Sequence, residues 1–163
     1  MFLTNEWNVG GRGDIRDVVN MRKLYLLRPG TDTIFHTHSI LAVLASLMET
    51  GQVGEFSVSH LQMVKAMPGH KWSDTLRLPI INNQDTEDGI AVELEAAVRD
   101  NPGVDALLIR GHGLYVWASS WRAAKVIHLC EHCMGRIYFL QVRVEALEWI
   151  FQVSVEMKKM GLR

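Results

Sequence analysis

A chain of 163 residues, 48% of them hydrophobic and 21% charged, has the length and balance of one ordinary domain that buries its own core, which excludes a disordered or low-complexity chain. Seventeen Lys and Arg stand against eighteen Asp and Glu, so no global field draws the chain to nucleic acid or to an anionic membrane. The start, MFLTNEWNVGGRGD, has neither the basic region nor the apolar run of a secretory signal, and no later apolar stretch has membrane-spanning length. The two cysteines, Cys130 and Cys133, form no disulfide framework, and the expectation is a cytoplasmic protein with no nucleic-acid or membrane partner.

Residues 1–13 are polar and broken by glycine and read as a disordered start, with a single domain over 14–163. The GGRG run from Gly10 follows no strand and is no phosphate-binding loop. Asp14 can cap a short helix in which Ile15, Val18, Val19 and Leu24 repeat at helical spacing, until Arg28-Pro29-Gly30 ends it. A strand is expected from Thr33 to His38, in a segment rich in Thr and aromatic residues with a short β-branched pattern. Ser39 then caps ILAVLASLME, apolar nearly all round and read as a buried helix on that strand. After Gly51 and Gly54, EFSV is a short strand, and SHLQMVKAM is an amphipathic helix stopped by Pro68-Gly69.

LRLPII, from Leu76 to Ile81, is a strand in which Pro79 argues for a sheet edge or a bulge. The polar NNQDTED precedes a helix with Ile90, Val92, Leu94, Ala97 and Val98 on or near one face, ended by Asn101-Pro102-Gly103. VDALLIRGHGLYVWA reads as two strands meeting at Gly111-His112-Gly113. From Ser119 or Ser120 the pattern is helical almost to Gly161, although RIYFLQVRV is β-branched and aromatic enough to be a strand. Trp117, Trp121 and Trp149 fall in apolar segments and read as core. The alternation of helices and strands favours a layered α/β domain.

Seven histidines are the compositional oddity. Residues i and i+2 of a strand share a face, so His36 and His38 present two imidazoles side by side, a two-ligand platform for a metal. Catalytic zinc takes three protein ligands and keeps one position open. His112 is the best third candidate, because its flanking glycines let the backbone turn sharply. The competing reading is of half-buried strand histidines with ordinary hydrogen-bond partners. His128, Cys130, His132 and Cys133 cannot all close on one ion from a regular helix, and read as buried thiols and helix-surface imidazoles.

Four stretches carry a resemblance: HTHS at His36 to Ser39, SHLQMVKA at Ser59 to Ala66, LPII at Leu78 to Ile81, and LLIRGHGLYVWASSW from Leu107 to Trp121. With VEMKKMGL near the end, they make the chain similar to the class II aldolase/adducin-like family, and within it to the branch that dehydrates 5-methylthioribulose 1-phosphate to a diketo phosphate in methionine salvage. The resemblance implies a three-layer α/β/α domain on a mostly antiparallel sheet, here incomplete at the N-terminus. It further implies a homotetramer, a small phosphorylated sugar as substrate, and one zinc ion per subunit on His36, His38 and His112. The metal would act as a Lewis acid on the substrate carbonyl.

Gln62 occupies the place where that branch carries a glutamate acid/base, and an amide cannot shuttle a proton. His60 is a poor substitute, because on a helix it would point about 200° away from position 62. Asn82-Asn83-Gln84 replaces the branch's Glu-Asn-Thr, the Gly-rich phosphate loop and substrate-contacting cysteine have no counterpart, and CMGRIYFLQVRV looks like extra sequence in the last helix. Two further readings stay open: a catalytically silent binding or regulatory relative that keeps the metal site, and an aldolase for another sugar phosphate.

Overall fold

The computed structural model describes residues 2–4, 17–48, 54–67, 69–128, 147–150 and 152–153. Its elements run β1 (Phe2–Thr4), α1 (Asp17–Leu27), β2 (Thr33–Thr37), α2 (Ile40–Ser46), β3 (Glu55–Val58), a 3-10 turn (Gln62–Ala66), β4 (Leu76–Ile81), α3 (Glu87–Asp100), β5 (Ala106–Ile109) and β6 (Gly113–Ala118). A further helical stretch covers 121–128. The strands form one six-stranded sheet in the order β1-β2-β6-β5-β4-β3. Every neighbouring pair is antiparallel except β4 with β5, so the sheet is mostly antiparallel, as expected.

Period-two alternation divides the side chains of the central strands between two cores. Ile34, Leu107, Ile109, Tyr115 and Trp117 face α1 and α3, where Met21, Leu24, Ile90, Leu94 and Val98 cover them. Ala106, Leu108, Leu114 and Val116 face the other way, against Ala42 and Ala45 of α2, Val64 of the 3-10 turn, and Ala124 and Ile127. Helices on both faces explain why ALLI of β5 is buried throughout, and they complete the three layers. Polar contacts tie α1 to α3: Lys23 pairs with Glu95 at 2.8 Å, and the Arg28 guanidinium donates to the carbonyls of Val98 and Asn101, each at 2.7 Å. That cation closes the carbonyl end of α3, where the helix dipole is negative. Thr86 and Ser39 cap α3 and α2 by accepting from Gly89 and Ala42.

Several expectations need correction. Residues 59–67 do not form an amphipathic helix: only a 3-10 turn forms, and His60 before it has φ +59°. With no helix there, the separation of about 200° expected between His60 and position 62 does not apply. β4 is an inner strand, not an edge. Pro79 is tolerated there because Ile80 donates its N–H to Gly54 on the β3 side. Backbone alternation turns the Pro79 nitrogen to the β5 side, where pairing begins only at Ile80 with Leu108. Val92 is exposed, outside the apolar face of α3, which Ala91 occupies instead. Of the three tryptophans read as core, Trp117 is buried, whereas Trp121 and Trp149 are 51% and 68% exposed. Phe2–Thr4, within the start read as disordered, pairs as a strand with β2. Cys130, His132, Cys133 and the run from Met134 to Val144 lie outside the described residues.

Candidate metal centre

The sheet order decides where the histidines meet. β2 and β6 are neighbours, with Thr37 opposite Leu114, so the chain that leaves β2 at His38 lies against the chain that enters β6 from His112. Two devices hold this corner. Gly113 faces the β2 backbone so closely that a Cβ would run into the carbonyl oxygen of Thr37. Buried Ser46, in the last turn of α2, accepts from the Gly111 N–H at 2.9 Å and donates to the Val43 carbonyl at 2.6 Å. Gly111 takes φ +65° in that turn, a conformation open to glycine at little cost.

One ligand nitrogen from each of His36, His38 and His112 lies within 4.8 Å of the other two. His36 Nε2 is 2.8 Å from His38 Nε2, which is 2.9 Å from His112 Nε2. Outer partners orient two of the rings. His36 Nδ1 donates to the Leu114 carbonyl at 3.1 Å, and His112 Nδ1 lies 3.1 Å from Asn83 Oδ1. A carbonyl can only accept, so the proton of each ring sits on Nδ1 and the Nε2 lone pairs point inward. Tetrahedral zinc with Zn–N bonds of about 2.0–2.1 Å sets its ligand nitrogens about 3.3 Å apart. The His36–His38 and His38–His112 nitrogen pairs need open by only a few tenths of an ångström, and the donor set, three imidazoles of which two carry outer hydrogen bonds, suits such an ion.

His36 is buried and stacked on Tyr115 at 4.1 Å between ring centroids, while His38 is exposed and His112 half-buried. The cluster is therefore closed on the sheet side and open toward solvent at His38. Burial, joined by the neighbouring His38 and His112 rings, pushes the His36 pKa down to about 3 against the hydrogen bond to Leu114, so the ring is neutral at physiological pH and ready to ligate. Between the unfolded value near 6.5 and the folded value, only the unfolded state carries the proton, so this contribution to stability is present above pH 6.5 and is lost as pH falls. In the metal-free protein, denaturant titrations should show wild type losing about 2 kcal/mol more than His36→Gln between pH 6.5 and 5. Equal losses would contradict the neutral assignment.

The fourth predicted site residue is elsewhere. Gln62 is exposed, in the turn after edge strand β3, and β4 and β5 separate that strand from β6. Met67 and His70, just beyond the turn, line a cavity of about 160 Å³ with Asp105, ahead of the first residue of β5, whereas His112 follows its last. The residues that flank position 62, Val58 paired with Leu76 and Met67 beside Asp105, thus sit toward the opposite end of β5 from the histidines. His60 packs edge-on against Trp72 at 5.2 Å, and His128 lies on the other side of the sheet near Phe35. Asn83 had no sequence signal as a partner of His112, since it stands 29 residues away in a polar loop.

Residues 19–136 match the class II aldolase and adducin N-terminal domain, and the chain belongs to that family. It is 37% identical over 142 residues to the methylthioribulose-1-phosphate dehydratase of Talaromyces marneffei, covering 82% of this chain and 50% of that one. It is 33% identical over 144 residues to the enzyme of the same name from Mus musculus, covering 85% and 52%. The chain spans about half the length of these curated relatives. Among solved structures, YgbL of Klebsiella pneumoniae, a putative aldolase/epimerase/decarboxylase, superposes with TM-score 0.58 at 23% identity over 81% of this chain and 59% of that one. The L-fuculose-1-phosphate aldolase of Thermus thermophilus superposes with TM-score 0.56 at 17% identity over 85% and 67%. These likenesses define the fold. No helix among the described residues is long and apolar enough to cross a membrane.

Proposed function

We propose that this chain is a zinc-binding member of the dehydratase branch, acting on 5-methylthioribulose 1-phosphate, with His36, His38 and His112 as the protein ligands of one zinc ion per chain. The carrying observation is the convergence of three imidazole nitrogens beside the solvent-open His38, in a chain more than one-third identical to an enzyme of that name. Zinc held there supplies Lewis acidity toward a substrate carbonyl, which makes the adjacent C–H acidic. The chain's own part is to fix the tautomers of His36 and His112 through their Nδ1 partners and to leave the side at His38 free for a small phosphorylated sugar.

Proton transfer is assigned to position 62. Because the chain on both sides of that position lies toward the far end of β5 from the histidines of its own chain, we place it against the histidines of a second copy, in a homotetramer. Gln62 cannot exchange a proton. That residue favours a second reading, a metal-binding relative without turnover of its own. A turnover assay on 5-methylthioribulose 1-phosphate separates the two: Gln62→Glu should raise the rate by about 10²- to 10⁴-fold. A wild type that turns over at a rate the substitution leaves unchanged would remove position 62 from the mechanism. In mixed oligomers, a chain carrying Gln62→Glu together with His38→Ala should activate wild-type partners. Activity that tracks only the uncombined chains, together with a monomeric native mass, would overturn the shared site.

A further inference from the structure

We propose that Asn83 sets the tautomer and heading of His112, and that Glu93 on α3 holds Asn83 in position to do so. The inference rests on the metal-binding reading of the three histidines and adds a residue to it. Asn83 Oδ1 accepts from the Gln84 N–H at 3.1 Å and faces His112 Nδ1 at the same distance. The first contact fixes the side-chain amide, because a flipped amide would set its NH₂ against the Gln84 N–H, donor against donor. With an oxygen facing it, His112 Nδ1 must be the protonated nitrogen. The lone pair then lies on Nε2, the atom directed at His38.

The loop carrying Asn83 is itself clamped from α3. Glu93 Oε2 accepts from the Asn82 N–H at 2.9 Å, and its Oε1 accepts from the Gln84 side-chain amide at 2.6 Å. One carboxylate therefore grips the residues on both sides of Asn83, and a charged acceptor makes these the stronger kind of hydrogen bond. Ser46 fixes the backbone of the turn through its hydrogen bond with Gly111. His36 draws its orientation from a backbone carbonyl, which no substitution of that residue removes. His112 instead depends on a side chain, so its alignment can be changed by mutation without entering the ligand set. Partners of this kind are worth about 10- to 100-fold in metal affinity.

The test uses the full chain, titrated with Zn²⁺ in competition with a chelator, and ¹⁵N NMR of the His112 ring in the metal-free protein. Asn83→Ala should weaken zinc binding by about 10- to 100-fold and lose the uniquely protonated Nδ1. The thermal midpoint of the metal-free protein should barely move, because Asn83 is exposed. Asn83→Asp keeps the acceptor and should bind zinc at least as tightly as wild type, with Nδ1 still protonated. Glu93→Ala should weaken binding in the wild-type background and have no further effect in Asn83→Ala. Unchanged affinity and an unchanged tautomer in Asn83→Ala, or an Asn83→Asp protein as weak as Asn83→Ala, would overturn the proposal. A wild type that binds no zinc would overturn the metal reading instead, and the His112 tautomer would still decide the role of Asn83.

Discussion

Replacing His38 or His112 by alanine should abolish stoichiometric zinc binding. Each removes one of the three proposed ligands, and the loss should exceed the roughly 100-fold that an outer partner alone can cost. Wild-type protein should gain thermal stability with added zinc, because an ion bound only by the folded state shifts the unfolding equilibrium by mass action. The two variants should show no such gain, whereas His70→Ala, at the other end of β5, should retain it. Any turnover should fall by about 10³-fold, since Lewis-acid stabilisation contributes several kcal/mol to the transition state. Metal analysis after dialysis, with melting curves at two zinc concentrations, checks all of this. One zinc per chain retained in both His38→Ala and His112→Ala would show that the ligands lie elsewhere.

The second large effect is expected away from the ligands themselves. Gly113→Ala should destabilise the fold by about 3 kcal/mol or more, the upper range for forcing extra atoms into packed structure. The added Cβ would meet the Thr37 carbonyl oxygen, with the carbonyl carbon at 3.0 Å and His38 Cα at 3.3 Å. Backbone cannot rotate aside as a flexible side chain can. The strain has to open the β2–β6 pair at the place where His36 donates to Leu114. Zinc affinity should therefore fall along with stability. Gly103→Ala is the control: nothing lies within 4 Å of a Cβ there, and urea unfolding should place it within about 0.5 kcal/mol of wild type. Equal midpoints for the two variants would mean that β2 and β6 do not approach as described.

Much of the fold was legible because local chemistry wrote it. EFSV and LRLPII became β3 and β4 with the expected bounds. Ser39 became an N-cap, and the GHG glycines turned β5 into β6. Where the reading failed, tertiary context had overridden a local rule. Pro79 sits in an inner strand because only one of its two neighbours needs a donor at that point. The apolar spacing of SHLQMVKAM buries Val64 and Met67 from a 3-10 turn instead of a helix. Trp121 is exposed with the Arg122 guanidinium 5.1 Å from its ring centroid, an arrangement that hydropathy cannot distinguish from burial.

The sequence by itself supplied the three candidate imidazoles, two of them two residues apart on a strand and a third between glycines, since spacing and side-chain chemistry are local properties. The tertiary structure alone decided that β2 and β6 are neighbours and that the Nε2 atoms turn toward one point. It alone also set the chain flanking position 62 toward the far end of β5. Strand order and ring orientation depend on contacts between residues far apart in the chain, such as Leu114 with His36, Asn83 with His112 and Ser46 with Gly111. No local pattern encodes such contacts, because each exists only once the sheet has closed around it.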